Sequence, residues 1–261
     1  MYFVSDIDGT LLAQPGDRVV DGLPEALNSL KGANIDLVLA SSRTLHDITL
    51  AADRFNLGEY YAISSGGRMV TKMNASRTVE TIYENHNVSQ GVYLARTGYK
   101  VIFQDSVGGL NYIAGCKKPN AIWSEVFCLT EQELLSSKPT SFILEFEGSW
   151  EDAVRYAGNR WHPWKFNNRV YLQEMSHDKG MGLSQLISHR PRNRIVAVGD
   201  DVNDIPMFAL ADVSYVMANA STGLISGMTK PFVGIPSVED GGAIRAIEEV
   251  LAQKLGSQRR R

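Results

Sequence analysis

Hydrophobic positions along the chain fall into two rhythms. At the start, residues 2–5 read as a short buried strand, residues 23–30 as a helix with one apolar face, and residues 35–40 as the unbroken apolar run of a strand covered on both sides. That succession predicts a β-α-β unit. Residues 44–55 read as another helix, with the Thr44 hydroxyl placed to cap it, and residues 60–63 as a strand running into Ser64-Ser65-Gly66-Gly67. The expected sheet is parallel and covered by helices. The same grammar returns late: helix 179–188, strand 194–198, helix 204–210, strand 213–216 and a last helix over 242–255.

Between these stretches, from residue 79 to 175, the period changes. Tyr99-Lys100-Val101-Ile102-Phe103 and Ser141-Phe142-Ile143-Leu144-Glu145-Phe146 alternate, and paired strand signals flank Asn167-Asn168. A crossover between parallel strands needs only about 30 residues, so this longer stretch has to be a structure of its own. The expected organisation is one α/β core made of residues 1–78 and 176–261, with an α+β cap over 79–175 inserted into it. No internal repeat or low-complexity stretch disturbs that reading.

Composition narrows the class. The 261 residues, 44% hydrophobic and 21% charged, suffice for a packed core. A formal charge of -3 gives no electrostatic reason to expect nucleic acid, and the one basic run, Arg259-Arg260-Arg261, reads as a solvated tail. Cys116 and Cys128 are too few and too far apart for a disulfide scaffold or a zinc site. No apolar run approaches the roughly 20 residues of a membrane span, and the first residues lack a secretory pattern, so a cytoplasmic location is expected. The Asn-x-Ser triplets at Asn74, Asn87 and Asn219 then carry no glycosylation weight.

The chemistry lies at predicted strand ends. The first strand delivers Asp6 and Asp8, in Asp6-Ile7-Asp8-Gly9-Thr10, to the carboxyl edge of the sheet, where open α/β folds place their ligands. Paired carboxylates there are costly unless a cation neutralises them, and a hard ion such as Mg²⁺ suits oxygen ligands. Taken alone, an Asp-Gly turn explains the segment as well. A second strand, Val196-Ala197-Val198-Gly199, runs into Asp200-Asp201-Val202-Asn203-Asp204. Asp200 is the better metal ligand and Asp204 can reach back to the same centre, although Asp201, Asn203 and Asp204 could equally serve as caps. Ser41-Ser42-Arg43 ends a third strand with hydroxyls and backbone donors suited to a phosphate oxygen. Lys179 opens a helix, where the dipole disfavours a cation unless it balances clustered anions.

These four pieces, in this order, resemble the haloacid dehalogenase superfamily of phosphatases. Asp6-Ile7-Asp8-Gly9-Thr10 is similar to its first motif, Ser41 to its second, Lys179 to its third and Gly199-Asp200-Asp201-Val202-Asn203-Asp204 to its fourth. The position of the insertion resembles a type IIB cap of the Cof-like, sugar-phosphate phosphatase group. Two departures stand out: Ser41-Ser42-Arg43 where relatives usually have Thr-Gly-Arg, and Ser65-Gly66-Gly67 where they often have Asn-Gly.

The resemblance implies a Rossmann-like parallel-sheet core under a cap. It implies an Mg²⁺-dependent phosphoric monoester hydrolase, with Asp6 the nucleophile, Asp8 the acid and base, and Asp6, Asp8 (through its carbonyl), Asp200 and Asp204 around the metal. Ser41, Ser42, Lys179 and Asn203 would hold the phosphate. The expected partner is a small phosphorylated metabolite, a sugar phosphate or phosphorylated sugar acid, with homodimer formation left open. Two rivals remain: a sugar-phosphate mutase using the same aspartyl-phosphate, and a non-catalytic binder of phosphorylated metabolites. A dinucleotide enzyme is disfavoured because Gly-x-Gly-x-x-Gly and the P-loop are both missing. In the cap, Tyr99, Tyr112, Trp150, Trp161, Trp164 and His162 could line a pocket but are more often core, and Lys165, Asn168 and Arg169 are polar candidates. His46 and His177 lie near the motifs without a required role.

Overall fold

The computed structural model describes all residues except 14–17, 106–108, 121–124, 159, 167, 175, 193 and 259–261. The C-terminal arginine run, Asn167, and the side chains of His162 and Trp164 lie outside the described residues. The chain divides into two compact units, one of residues 1–43, 48–83 and 178–261 and the other of residues 44–47 and 84–177.

The first unit opens with β1 (Tyr2–Ser5), buried along its whole length, and a short antiparallel ladder of β2 (Leu12–Ala13) and β3 (Arg18–Val19). α1 (Leu23–Gly32) follows, with a proline in its first turn and Leu23, Leu27 and Leu30 buried on one stripe. β4 (Asp36–Ala40) precedes α2 (Leu45–Arg54), where the Asp47 N–H donates to Thr44 Oγ1 at 3.2 Å and completes the expected cap. β5 (Tyr60–Ser64), β6 (Met69–Met73) and β7 (Val79–Glu84) then follow closely.

The second unit contains α3 (Ser89–Arg96), β8 (Lys100–Gln104), β9 (Leu110–Ile113) and β10 (Val126–Leu129). It continues with α4 (Glu131–Ser136), β11 (Ser141–Phe146), α5 (Trp150–Ala157), β12 (Trp161–Phe166) and β13 (Arg169–Glu174). Among the described residues its strands pair in the order β10-β9-β8-β11-β13-β12. Trp161 packs with Phe103, Phe142, Leu144 and Leu172 in this unit's core, so it is structural rather than a pocket wall. Trp150 is partly buried under the Lys165 ammonium, 4.8 Å from its ring centre, Tyr112 packs against a smaller cluster around Ile143, and Tyr99 is exposed. Arg169 pairs with the buried Glu145 at 3.0 Å, and Asn168 takes the left-handed backbone of the β12–β13 turn.

The chain returns to the first unit with α6 (Lys179–His189), β14 (Ile195–Gly199), α7 (Ile205–Leu210) and β15 (Val213–Met217). α8 (Thr222–Gly227), β16 (Val233–Ile235) and α9 (Gly242–Gln258) complete it. Among the described residues the strands of its large sheet run in the order β16-β15-β14-β1-β4-β5-β6-β7. β1 therefore lies between the two sequence halves, with Phe3 opposite both Val196 and Leu37.

Two expectations need correction. The sheet is parallel from β16 to β5 but turns antiparallel at β5–β6, because only Ser65 to Arg68 separate those strands and a parallel crossover needs a dozen residues or more. β7 is also part of this sheet, so the first unit continues to residue 83 rather than ending at 78. Its exposed, alternating residues look like those of the insertion because an edge strand has few neighbours to bury them.

Candidate active site

Three neighbouring strands end at one place. Beyond β1, the Asp6 N–H continues the ladder by donating to the Val198 carbonyl at 3.0 Å; beyond β4, the Ser41 N–H does so to Ile63 at 2.9 Å. β14 ends at Gly199, followed by Asp200. The parallel register thus gathers Asp6, Ser41 and Asp200 at the carboxyl edge.

Lys179 reaches this edge because α6 starts unusually close to its neighbours. Asp178 caps the helix by accepting from the Met181 N–H at 2.8 Å. Gly180 lies against the Pro206 backbone and Gly182 against Ile63 and Gly67, where a Cβ would collide. The helix start is therefore pressed into the protein, and Lys179 is only 2% exposed. Its Nζ donates to Asp6 Oδ1 at 2.5 Å and to Asp204 Oδ1 at 2.7 Å.

Asp204, fully buried, serves two purposes. Its Oδ2 accepts from the backbone N–H groups of Asp200 and Asp201 at 2.9 and 3.1 Å, while Oδ1 holds Lys179. Asp204 thus satisfies backbone donors at the start of the next turn and pairs with Lys179 at the same time. One oxygen each from Asp6, Asp200 and Asp204 lies within 4.8 Å of the others.

Three carboxylates share one ammonium, and the electrostatics show the imbalance. Burial raises the Asp6 carboxyl well above its ordinary range, against the pull of Lys179. Burial, reinforced by the Asp204 charge, pushes Asp200 up to about 7. Burial acts to lower the Lys179 ammonium, but the charges of Asp204 and Asp6 outweigh it and leave its pKa raised. An all-oxygen donor set with uncompensated negative charge fits a hard divalent cation such as Mg²⁺.

The Asp8 side chain has a different partner. Arg43 grips it from two nitrogens, Nε to Oδ2 at 2.9 Å and Nη2 to Oδ1 at 2.6 Å. Only its main chain is left for the expected metal role. Ser41 is buried, its hydroxyl accepting from the Arg43 N–H at 3.1 Å, and Ser42 is half-buried beside it. Among the described residues, the Asn203 Oδ1 is a buried acceptor without a hydrogen-bond partner. His46 is exposed, and His177 contacts Asn85 and Ser176 outside this cluster.

A family model described as haloacid dehalogenase-like hydrolase matches residues 3–104 and 143–247, which include every one of these residues. The chain belongs to this family. No curated protein sequence matches it. Among solved structures, a haloacid dehalogenase-like hydrolase from Bacteroides thetaiotaomicron is similar, with 20% identity and a TM-score of 0.69 over 95% of this chain and 98% of that one. A haloacid dehalogenase-like hydrolase from B. subtilis has 16% identity and a TM-score of 0.69 over 95% and 99% of the two chains. A subclass IIB sugar phosphatase has 16% identity and a TM-score of 0.67 over 95% and 98%. These likenesses carry the fold: a haloacid dehalogenase-like core with an inserted α+β cap.

Three further residues around this cluster were not singled out by the sequence pattern. Arg43 clamps Asp8, Thr10 Oγ1 donates to Asp200 Oδ1 at 3.0 Å, and Asn219 Nδ2 donates to Asp200 Oδ2 at 3.3 Å. Arg43 and Thr10 lie inside the quoted motifs, where a cation near Asp8 and a hydroxyl near Asp6 could have been read as partners. Asn219 gave no such signal.

The raised carboxyl pKa values make a stability prediction. A group whose folded pKa exceeds its unfolded value contributes stability below the unfolded pKa, near 4, and loses it as pH rises through the folded one. For Asp200 that window runs from about 4 to about 7. The metal-free chain should therefore melt at a lower temperature at pH 8 than at pH 5.5, with Mg²⁺ restoring more stability at pH 8; thermal melts with and without EDTA measure this.

Gly9 makes another. Its φ is +77°, and a Cβ there would strike the Asp200 carboxylate. That carboxylate cannot swing away freely, because Thr10 and Asn219 hold both its oxygens. Gly9→Ala should lower turnover on the order of 100-fold while costing only about 1–3 kcal/mol of stability. Turnover within a factor of three of wild type would contradict this.

Proposed function

We propose that the chain is an Mg²⁺-dependent phosphatase that hydrolyses a small phosphorylated metabolite, a sugar phosphate or phosphorylated sugar acid, through an aspartyl-phosphate on Asp6. The observation that carries this reading is the buried Asp6 carboxylate, held by Lys179 at 2.5 Å inside a three-carboxylate cluster at the sheet's carboxyl edge.

The residues divide the work as follows. The Asp6 carboxylate attacks phosphorus, the bond to the leaving oxygen breaks, and Asp8 gives that oxygen its proton. Asp8 then takes a proton from water as the water attacks the aspartyl-phosphate, freeing phosphate and regenerating Asp6. Arg43 fixes the direction in which the Asp8 carboxyl points. Lys179 offsets negative charge on the phosphoryl oxygens, and Ser41, Ser42 and Asn203 supply donors for them. Mg²⁺, held by Asp6, Asp200, Asp204 and the Asp8 carbonyl, would add charge stabilisation to the transferring group.

The substrate class rests on the cap and on the sugar phosphatase among the structural relatives. A cytoplasmic location is part of the same proposal; among the described residues, no helix is long and apolar enough to cross a membrane. A panel of phosphorylated metabolites assayed with Mg²⁺ for free phosphate tests the reading. Phosphate release from a sugar phosphate or sugar-acid phosphate is expected. An isomerised sugar phosphate without free phosphate would make the protein a mutase, and binding without turnover across the panel would make it a binder.

A further inference from the structure

Asn219 follows β15 in an exposed turn, yet its side chain bonds to three separate segments. Nδ2 donates to the Gly9 carbonyl at 2.8 Å and to Asp200 Oδ2 at 3.3 Å, and Oδ1 accepts from the Val238 N–H at 3.0 Å. The Val238 N–H can only donate, so it fixes which end of the amide is oxygen and points the NH₂ at Gly9 and Asp200. A surface asparagine could satisfy all of these groups with water, and a surface turn has no packing need for such a tie. The segments it joins are the informative part. Gly9 is the residue after Asp8, whose carbonyl is one arm of the proposed cation cradle; Asp200 is the other arm. Thr10 Oγ1 holds the second oxygen of Asp200 at 3.0 Å, and the Ser221 N–H holds its carbonyl at 2.8 Å. Asn219 alone of these bonds reaches both the turn and the carboxylate.

We propose that Asn219 is a positioning residue for the divalent cation: one amide ties the Asp8-Gly9 turn to the Asp200 carboxylate and keeps the two arms at the spacing the ion requires. It acts through those groups and takes no part in the proton or phosphoryl transfers. Groups that orient metal ligands commonly change affinity 10–100-fold when removed. The inference rests on the reading of Asp6, Asp200 and Asp204 as the cation site.

The test is calorimetric titration of Mg²⁺ into the metal-free full chain, wild type and Asn219→Ala. The variant should bind Mg²⁺ about 10–100-fold more weakly. Its metal-free melting temperature should stay within a few degrees of wild type, and activity lost at low Mg²⁺ should be recovered by raising Mg²⁺. Asn219→Ser, which suits an exposed turn, should behave in the same way and replaces the alanine variant if that fails to fold. Unchanged Mg²⁺ affinity in a folded variant would overturn the inference and leave the cation site standing. A large loss of kcat that saturating Mg²⁺ does not recover would overturn it as well, by making Asn219 part of the chemistry. Wild type that takes up no Mg²⁺ would overturn the cation reading itself, and the inference with it.

Discussion

Asp6→Asn should lower kcat by at least about a thousandfold and still yield a folded protein. An amide oxygen is too weak a nucleophile to displace a leaving group from phosphorus, so removing the attacking charge removes the first of the two steps. The fold has little reason to object. Burial holds the Asp6 carboxyl well above its usual range, which means the folded state disfavours its charge. A neutral amide of the same shape avoids that cost, while Lys179 keeps Asp204 at 2.7 Å. Circular dichroism and a thermal melt should match wild type within a few degrees while phosphate release falls to background. More than about one hundredth of wild-type turnover in the purified variant would remove Asp6 from the role of nucleophile.

Lys179→Met should instead damage both activity and stability. Methionine matches the length of the lysine chain but supplies no charge, so Asp6 and Asp204 would face each other in a site from which water is almost excluded. Breaking a buried pair by deleting one partner typically costs about 3–5 kcal/mol. In a chain of this size that corresponds to a melting temperature lower by about 10 °C. The sign with pH is distinctive. Burial favours the uncharged Asp6 carboxyl, so the penalty should be smaller at pH 5 than at pH 7.5. Denaturant curves at both pH values measure the difference, and an equal loss at each would argue that Lys179 serves packing rather than charge.

Much of the site can be read from strand ends. Asp6, Ser41 and Asp200 each follow a run of buried apolar residues, so the period of the sequence alone places them at one edge of a sheet. Lys179 could be inferred because a cation at a helix start contradicts the dipole and so requires anions nearby. The grip of Arg43 on Asp8 was less accessible, since 35 residues separate them and Asp8 already had another role. Asn219 was inaccessible: a single asparagine in a turn is the most ordinary of residues, and only the return of the chain from β15 brings it beside Gly9. The antiparallel β5–β6 pair was, by contrast, open to inference, because its connection is too short for any crossover.

The place of β1 between β4 and β14 affects how the protein must be made. Asp6 is synthesised well before the strand beside it, Ile195–Gly199, which follows nearly two hundred residues later. Every strand of the second unit has left the ribosome by then, whereas β1 has a partner on one side only. Such distant pairings slow folding, because a long loop must close before they form. The catalytic edge is thus among the last parts of the molecule to be completed, and a nascent chain stopped before Asp200 should carry the nucleophile without any phosphatase activity.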